Sequence, residues 1–126
     1  MPDLFDCHLI VEGTSGWLKR FKKLAKCQNS EISMNSFIPK PDGSDNIDWN
    51  IKNWGIKSDI SMTSIRAIGK NYIVYSFISE EAPTKAIEII GKLFPKMSFE
   101  LNYKDTSTGK QRCLIVENGV KVLDER

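Results

Sequence analysis

The densest chemistry in this 126-residue sequence is cationic. Lys19, Lys22, Lys23 and Lys26 recur at i, i+3, i+4 and i+7, Arg20 stands beside them, and no acid interrupts the segment. On a helix that spacing gathers the ammonium groups on one face. The resulting positive field can engage phosphates or an acidic protein surface. The competing reading is a solvated exterior face, at a cost of about 0.2–0.5 kcal/mol for each like-charged i,i+4 pair. A second group is Trp49, Asn50, Lys52, Asn53, Trp54, Gly55 and Lys57. Indoles interleaved with amides and lysines can stack bases and contact phosphates, as single-strand binders do. Against that, Trp54 can plug the end of a sheet, Asn53 cap a local turn and Gly55 supply a positive φ.

Catalytic and metal chemistry find little footing. His8 is the sole histidine, and nothing near it in sequence is arranged to activate it as a base. Cys7 adjoins it, but neighbouring side chains of a strand point to opposite faces and cannot share one metal. Cys7, Cys27 and Cys113 are odd in number and far apart, lack the C-x-x-C pairing of structural zinc, and suit free thiols in a reducing cytosol. Asp42, Asp45 and Asp48 recur every third residue but lack the calcium-loop pattern and its terminal Glu. No metal, no cofactor and no catalytic residue is expected.

The elements that must position these residues follow from periodicity. Phe5 to Val11 alternates as a strand, and Gly13 ends it. Thr14 or Ser15 can cap a helix whose apolar face is Trp17, Leu18, Phe21, Leu24 and Ala25. Glu31 to Ile38 reads as a short extended piece, Pro39 to Asp48 as a surface excursion, and Trp49 to Asp59 as irregular. Two extended runs, Ile60 to Ile68 and Tyr72 to Ile78, flank the turn Gly69-Lys70-Asn71. Pro83 opens a second helix with Ala86, Ile87, Ile90, Leu93 and Phe94 inward, and Pro95 stops it. Met97 to Tyr103 alternates again, and Gln111–Glu117 and Val120 to Leu123 form a hairpin across Asn118-Gly119.

That order predicts one α+β domain over 1–126 with a surface insertion around 39–59. Its architecture is the ferredoxin-like split βαβ: an antiparallel sheet, two helices on one face and a C-terminal β-hairpin extension. The face away from the helices could serve as a platform, as in RNA-recognition modules. Tyr72, Tyr75 and Phe77 lie in one strand region, yet the RNP-type aromatic signature is missing, so core packing or burial in a homodimer is the stronger expectation. With 18 basic and 16 acidic residues the net charge is +2, too small for a dedicated DNA-binding domain. No stretch reaches the roughly 18 apolar residues of a membrane span. The N-terminal residues lack a basic region followed by an apolar one, so the expected place is the host cytoplasm.

Met1-Pro2, the strand ending at Gly13, Phe37-Ile38-Pro39, Asn53-Trp54-Gly55-Ile56-Lys57-Ser58-Asp59 and Phe94-Pro95-Lys96-Met97-Ser98-Phe99 with Tyr103 come in a familiar order. Together they resemble the YubB-like family of ferredoxin-like domains of phages, prophages and conjugative plasmids, of which this would be a divergent member. Ser58 stands where that family usually has an aromatic, and Phe77 to Pro83 replaces its Trp-Ser-Pro-Pro-like stretch. The resemblance implies fold and mobile-element origin rather than an activity. The expectation is a non-enzymatic interaction protein, most concretely an inhibitor of a host nucleic-acid-targeting defence of the anti-CRISPR kind, binding an effector protein or its RNA. Its alternative is an RNA- or single-stranded-DNA-binding module of replication or transfer, with a small metal-dependent nuclease ranking third.

Overall fold

Alternation of apolar and polar residues builds the centre of the molecule. In strand β1 (Phe5–Glu12) Cys7, Leu9 and Val11 are fully buried on one face, while Asp6, His8 and Ile10 take the other. The computed structural model describes residues 4–28, 30–41, 46–60 and 62–124. Over these the chain continues through α1 (Ser15–Ala25), α2 (Met34–Phe37), α3 (Ile47–Trp54), β2 (Ser64–Ile68), β3 (Tyr72–Ser79), α4 (Thr84–Leu93), β4 (Ser98–Asp105), β5 (Gln111–Glu117) and β6 (Val120–Asp124). The fold is mixed α+β, a six-stranded sheet in the order β2-β3-β1-β4-β5-β6 with every neighbouring pair antiparallel. Hydrophobic periodicity sets the register: Leu9 stands between Tyr75 and Leu101, and Leu101 opposite Leu114, one apolar row across four strands. Asn118 and Gly119 both take positive φ, 54° and 75°, the geometry of a two-residue hairpin turn between β5 and β6.

One face of that sheet is covered by helices. Leu18, Phe21 and Ala25 of α1 and Ala86, Ile87 and Ile90 of α4 bury against it. Phe21 is the hub, its ring 5.2–6.0 Å from those of Phe37, Tyr75, Phe94 and Phe99. Gly91 lets α4 lie close on β5, since a Cβ there would stand 2.5 Å from Val116 Cγ1. Tyr75 and Phe77 belong to this covered face and are buried, which removes them from any open base-stacking platform; of the three aromatics only Tyr72 is exposed.

Several expected elements differ. The extended piece over 31–38 contains α2, because the Asp59 carboxylate accepts from Ser33 Oγ (2.6 Å), Met34 N (2.5 Å) and Asn35 N (3.0 Å) and so caps a helical turn from 25 residues away. The irregular stretch 49–59 contains part of α3. Asn46 Oδ1 accepts from Trp49 N to start it, and Gly55 at φ 74° ends it. The supposed surface insertion therefore contributes Trp54 and Ile56, 1% and 2% exposed, to the core. Strand β2 begins at Ser64 rather than at 60. Thr14 occupies the N-cap of α1 but makes no side-chain capping bond, and Pro83 precedes α4 rather than entering its first turn. Leu24 and Leu93, expected inside, are 53% and 50% exposed. Asp42 and Asp45 lie outside the described residues, and Asp48 is exposed in the first turn of α3.

Candidate interaction surface

Helix α1 carries the cationic residues because its heptad-like spacing leaves them no other place. With Leu18, Phe21 and Ala25 fixed against the sheet, rotation by about 100° per residue turns Lys19, Lys22 and Lys23 outward, while Lys26, expected as the fourth member of the stripe, is the C-cap in an extended conformation just past the helix. All four, and Arg20, are exposed. Among the described residues only Lys26 approaches a carboxylate, 4.0 Å from Glu31, so the other charges stand uncompensated by ion pairs. The helix has no acid in its first turn, and Lys22 and Lys23 lie in its last, where the helix dipole favours cations.

The flank of this face is not polar. Trp17, Arg20 and Leu24 follow at i, i+3 and i+7, with the Arg20 guanidinium 5.3 Å from the Trp17 ring centroid. Trp17 is half-buried, and Leu24 is exposed beside it. The sequence alone assigned Leu24 to the core, because its spacing fits the apolar stripe at the edge of tolerance.

The second group of predicted residues works differently. Trp54 is buried and its Nε1 donates to Ile38 O (2.9 Å), so its ring is not available to stack a base. Trp49 is half-buried and meets Trp54 edge-on at 5.3 Å. Asn53 Nδ2 donates to Trp49 O (3.0 Å), and buried Asn50 Nδ2 donates to Lys57 O (2.6 Å). Lys57 N donates to Glu81 Oε1 (2.6 Å), tying α3 to the approach of α4. Gly55 packs so tightly that a Cβ would lie 2.5 Å from Lys85 Cβ. Together with Asp59 this run is a structural clasp that joins α2, α3 and α4. Lys52 and Lys57 are exposed, as are Ile51 and Ser58 beside them, and Lys57 lines a cleft of about 310 Å³ that also takes in Asp59, Ile78 and Glu81.

The thiols and the histidine are separated as the strand alternation requires. Cys7 is buried, and burial first, then the Asp6 carboxylate, push its thiol up to about 12. His8 lies on the opposite face with Nε2 3.7 Å from Asp6 Oδ1, in a cross-strand row with Ser76, Asn102 and Cys113. Among the described residues no three His, Cys, Asp or Glu side chains converge to hold a metal, and no helix is long and apolar enough to cross a membrane. No protein-family model matches the chain, and no curated protein or solved structure matches it either.

Proposed function

We propose that this chain is a non-enzymatic binding protein that works through the exposed face of α1. In its most concrete form it is a mobile-element inhibitor of a host nucleic-acid-targeting defence, of the anti-CRISPR kind, gripping an effector at its bound RNA. One observation carries the reading: five cations crowd the exposed side of α1 and its C-cap, four of them without an ion-pair partner among the described residues. Phosphate backbones neutralise such a cluster by releasing their own counterions, whereas water leaves the mutual repulsion in place. The membership in the YubB-like family and the ferredoxin-like core belong to the same proposal. The order β2-β3-β1-β4 of the first four strands, with α1 and α4 against one face, supports the latter, and β5 and β6 extend it.

The test is relief of interference in cells that carry guide-RNA-directed defences, wild type against Lys19→Glu/Lys22→Glu/Lys23→Glu/Lys26→Glu. Restored plaque formation by the wild type alone supports the proposal; no relief of any defence contradicts it. The half-buried Trp17 under Arg20 favours a second reading, direct binding of single-stranded RNA or DNA in replication or transfer. That reading predicts tight binding to bare oligonucleotide with no effector present.

A further inference from the structure

The cations of α1 do not stand alone on the helix-bearing side of the molecule. The segment that leaves α4 passes beside the first half of α1. There the Phe94 ring lies 5.2 Å from that of Phe21, and Met97 Cγ would stand 3.2 Å from a Cβ at Gly13, the residue before the N-cap. Met97 N donates to Phe94 O (3.1 Å) and closes the turn between these two buried side chains, while Lys96 between them is exposed. Lys92 is exposed as well, in the last turn of α4 that leads to this segment. Neither lysine has a carboxylate within ion-pair distance among the described residues.

The other side of the sheet has the opposite sign. Alternation along β1, β4 and β5 puts Asp6, Glu12, Glu100 and Glu117 on the face away from the helices, where Lys104 is the one lysine or arginine of those three strands. On the helix side the acid of α4, Glu88, is held by Lys121 at 3.6 Å, and Glu31 lies 4.0 Å from Lys26. The charges of the chain are therefore sorted across the sheet, and a polyanion is drawn to the helices and turned away from the bare face.

We infer that the phosphate-binding surface continues from α1 onto the end of α4, where Lys92 and Lys96 hold the same nucleic-acid backbone. The inference rests on the reading of α1 as the binding face and extends its footprint. At 1.5 Å per residue the cations of α1 and its C-cap span only about 10 Å. A strand of more than a few nucleotides overruns them, and the exposed lysines beside α1 are where its next phosphates meet opposite charge. Each such contact releases a counterion from the backbone, so each adds to the salt dependence of binding.

Titration of a labelled single-stranded RNA with the full chain, across a salt series, tests the assignment. Lys92→Glu/Lys96→Glu should bind about ten-fold more weakly than the wild type, with a log–log slope shallower by about 1.4. Lys92→Gln/Lys96→Gln, which removes the charges without adding repulsion, should move both readings in the same direction. Lys104→Glu/Lys110→Glu makes the same change of net charge at exposed positions on the bare face and the β4–β5 turn. It should leave the affinity nearly unchanged, because charges farther off than a Debye length of about 10 Å are screened. Equal weakening by the two glutamate pairs reduces the effect to net charge and overturns the inference. Affinity unchanged in Lys92→Glu/Lys96→Glu, while the four α1 substitutions abolish binding, overturns it and leaves the reading of α1 standing. A wild type that binds no RNA overturns both.

Discussion

Gly55 shows how much of this molecule is decided at single positions. Its φ of 74° ends α3, and the absent Cβ admits Lys85 at the approach of α4. Gly55→Ala combines left-handed strain with a steric overlap and should cost about 1–3 kcal/mol, read as a lower urea midpoint. Phe21, in contact with four other rings, is the largest single apolar contributor of α1, and Phe21→Ala should cost roughly 3–5 kcal/mol. Cys7 and Tyr75 give the fold an alkaline limit. Burial pushes the Cys7 thiol from its ordinary 9.0 up to about 12 and also raises the Tyr75 phenol, each with a lesser contribution from a neighbouring carboxylate, Asp6 and Glu31. Both stay protonated in the folded chain while the unfolded chain loses its protons, so stability should be flat below pH 9 and fall as pH rises towards 12. Urea midpoints measured from pH 8 upward check this, and a midpoint that does not decline above pH 9 contradicts it.

At the scale of elements, Asp59 does for α2 what no nearby residue can. Asp59→Ala removes three hydrogen bonds at once, should cost about 1–3 kcal/mol, and should open the 26–41 segment to limited proteolysis well before the sheet is cut. That cap also explains what the sequence left illegible. Strands β1, β4 and β5 and helices α1 and α4 are readable because each alternates or repeats over seven or more residues against one broad core. Helix α2 is four residues long and α3 eight, too short to show a period, and the bonds that hold them come from Asp59, Asn46 and Gly55, far in sequence or outside the helix. The Asn53-to-Asp59 run was conspicuous as a motif, yet its side chains mostly face one another. Residue types that suit a binding site suit a clasp equally well, and only their partners distinguish the two. Lys92 and Lys96 were illegible for the opposite reason: they are far from α1 in sequence, and only the packing of Phe94 on Phe21 and of Met97 beside Gly13 brings their segment to it.

For the whole molecule, a net charge of +2 conceals an uneven distribution, since four of the 18 cations sit in α1 and a fifth is its C-cap. Composition predicts no nucleic-acid binder; the clustering of these cations on the exposed side of α1 and its C-cap argues for a contact surface. The most direct measurement is fluorescence anisotropy of a labelled single-stranded RNA across a salt series, for the wild type and for Lys19→Glu/Lys22→Glu/Lys23→Glu/Lys26→Glu. Up to five phosphate contacts on α1 and its C-cap predict a log–log slope of about −3.5, or about −5 with Lys92 and Lys96 added, for the wild type and loss of binding in the variant. A wild type that binds no RNA at low salt, or a variant that binds it as tightly as the wild type, would contradict the role assigned to α1.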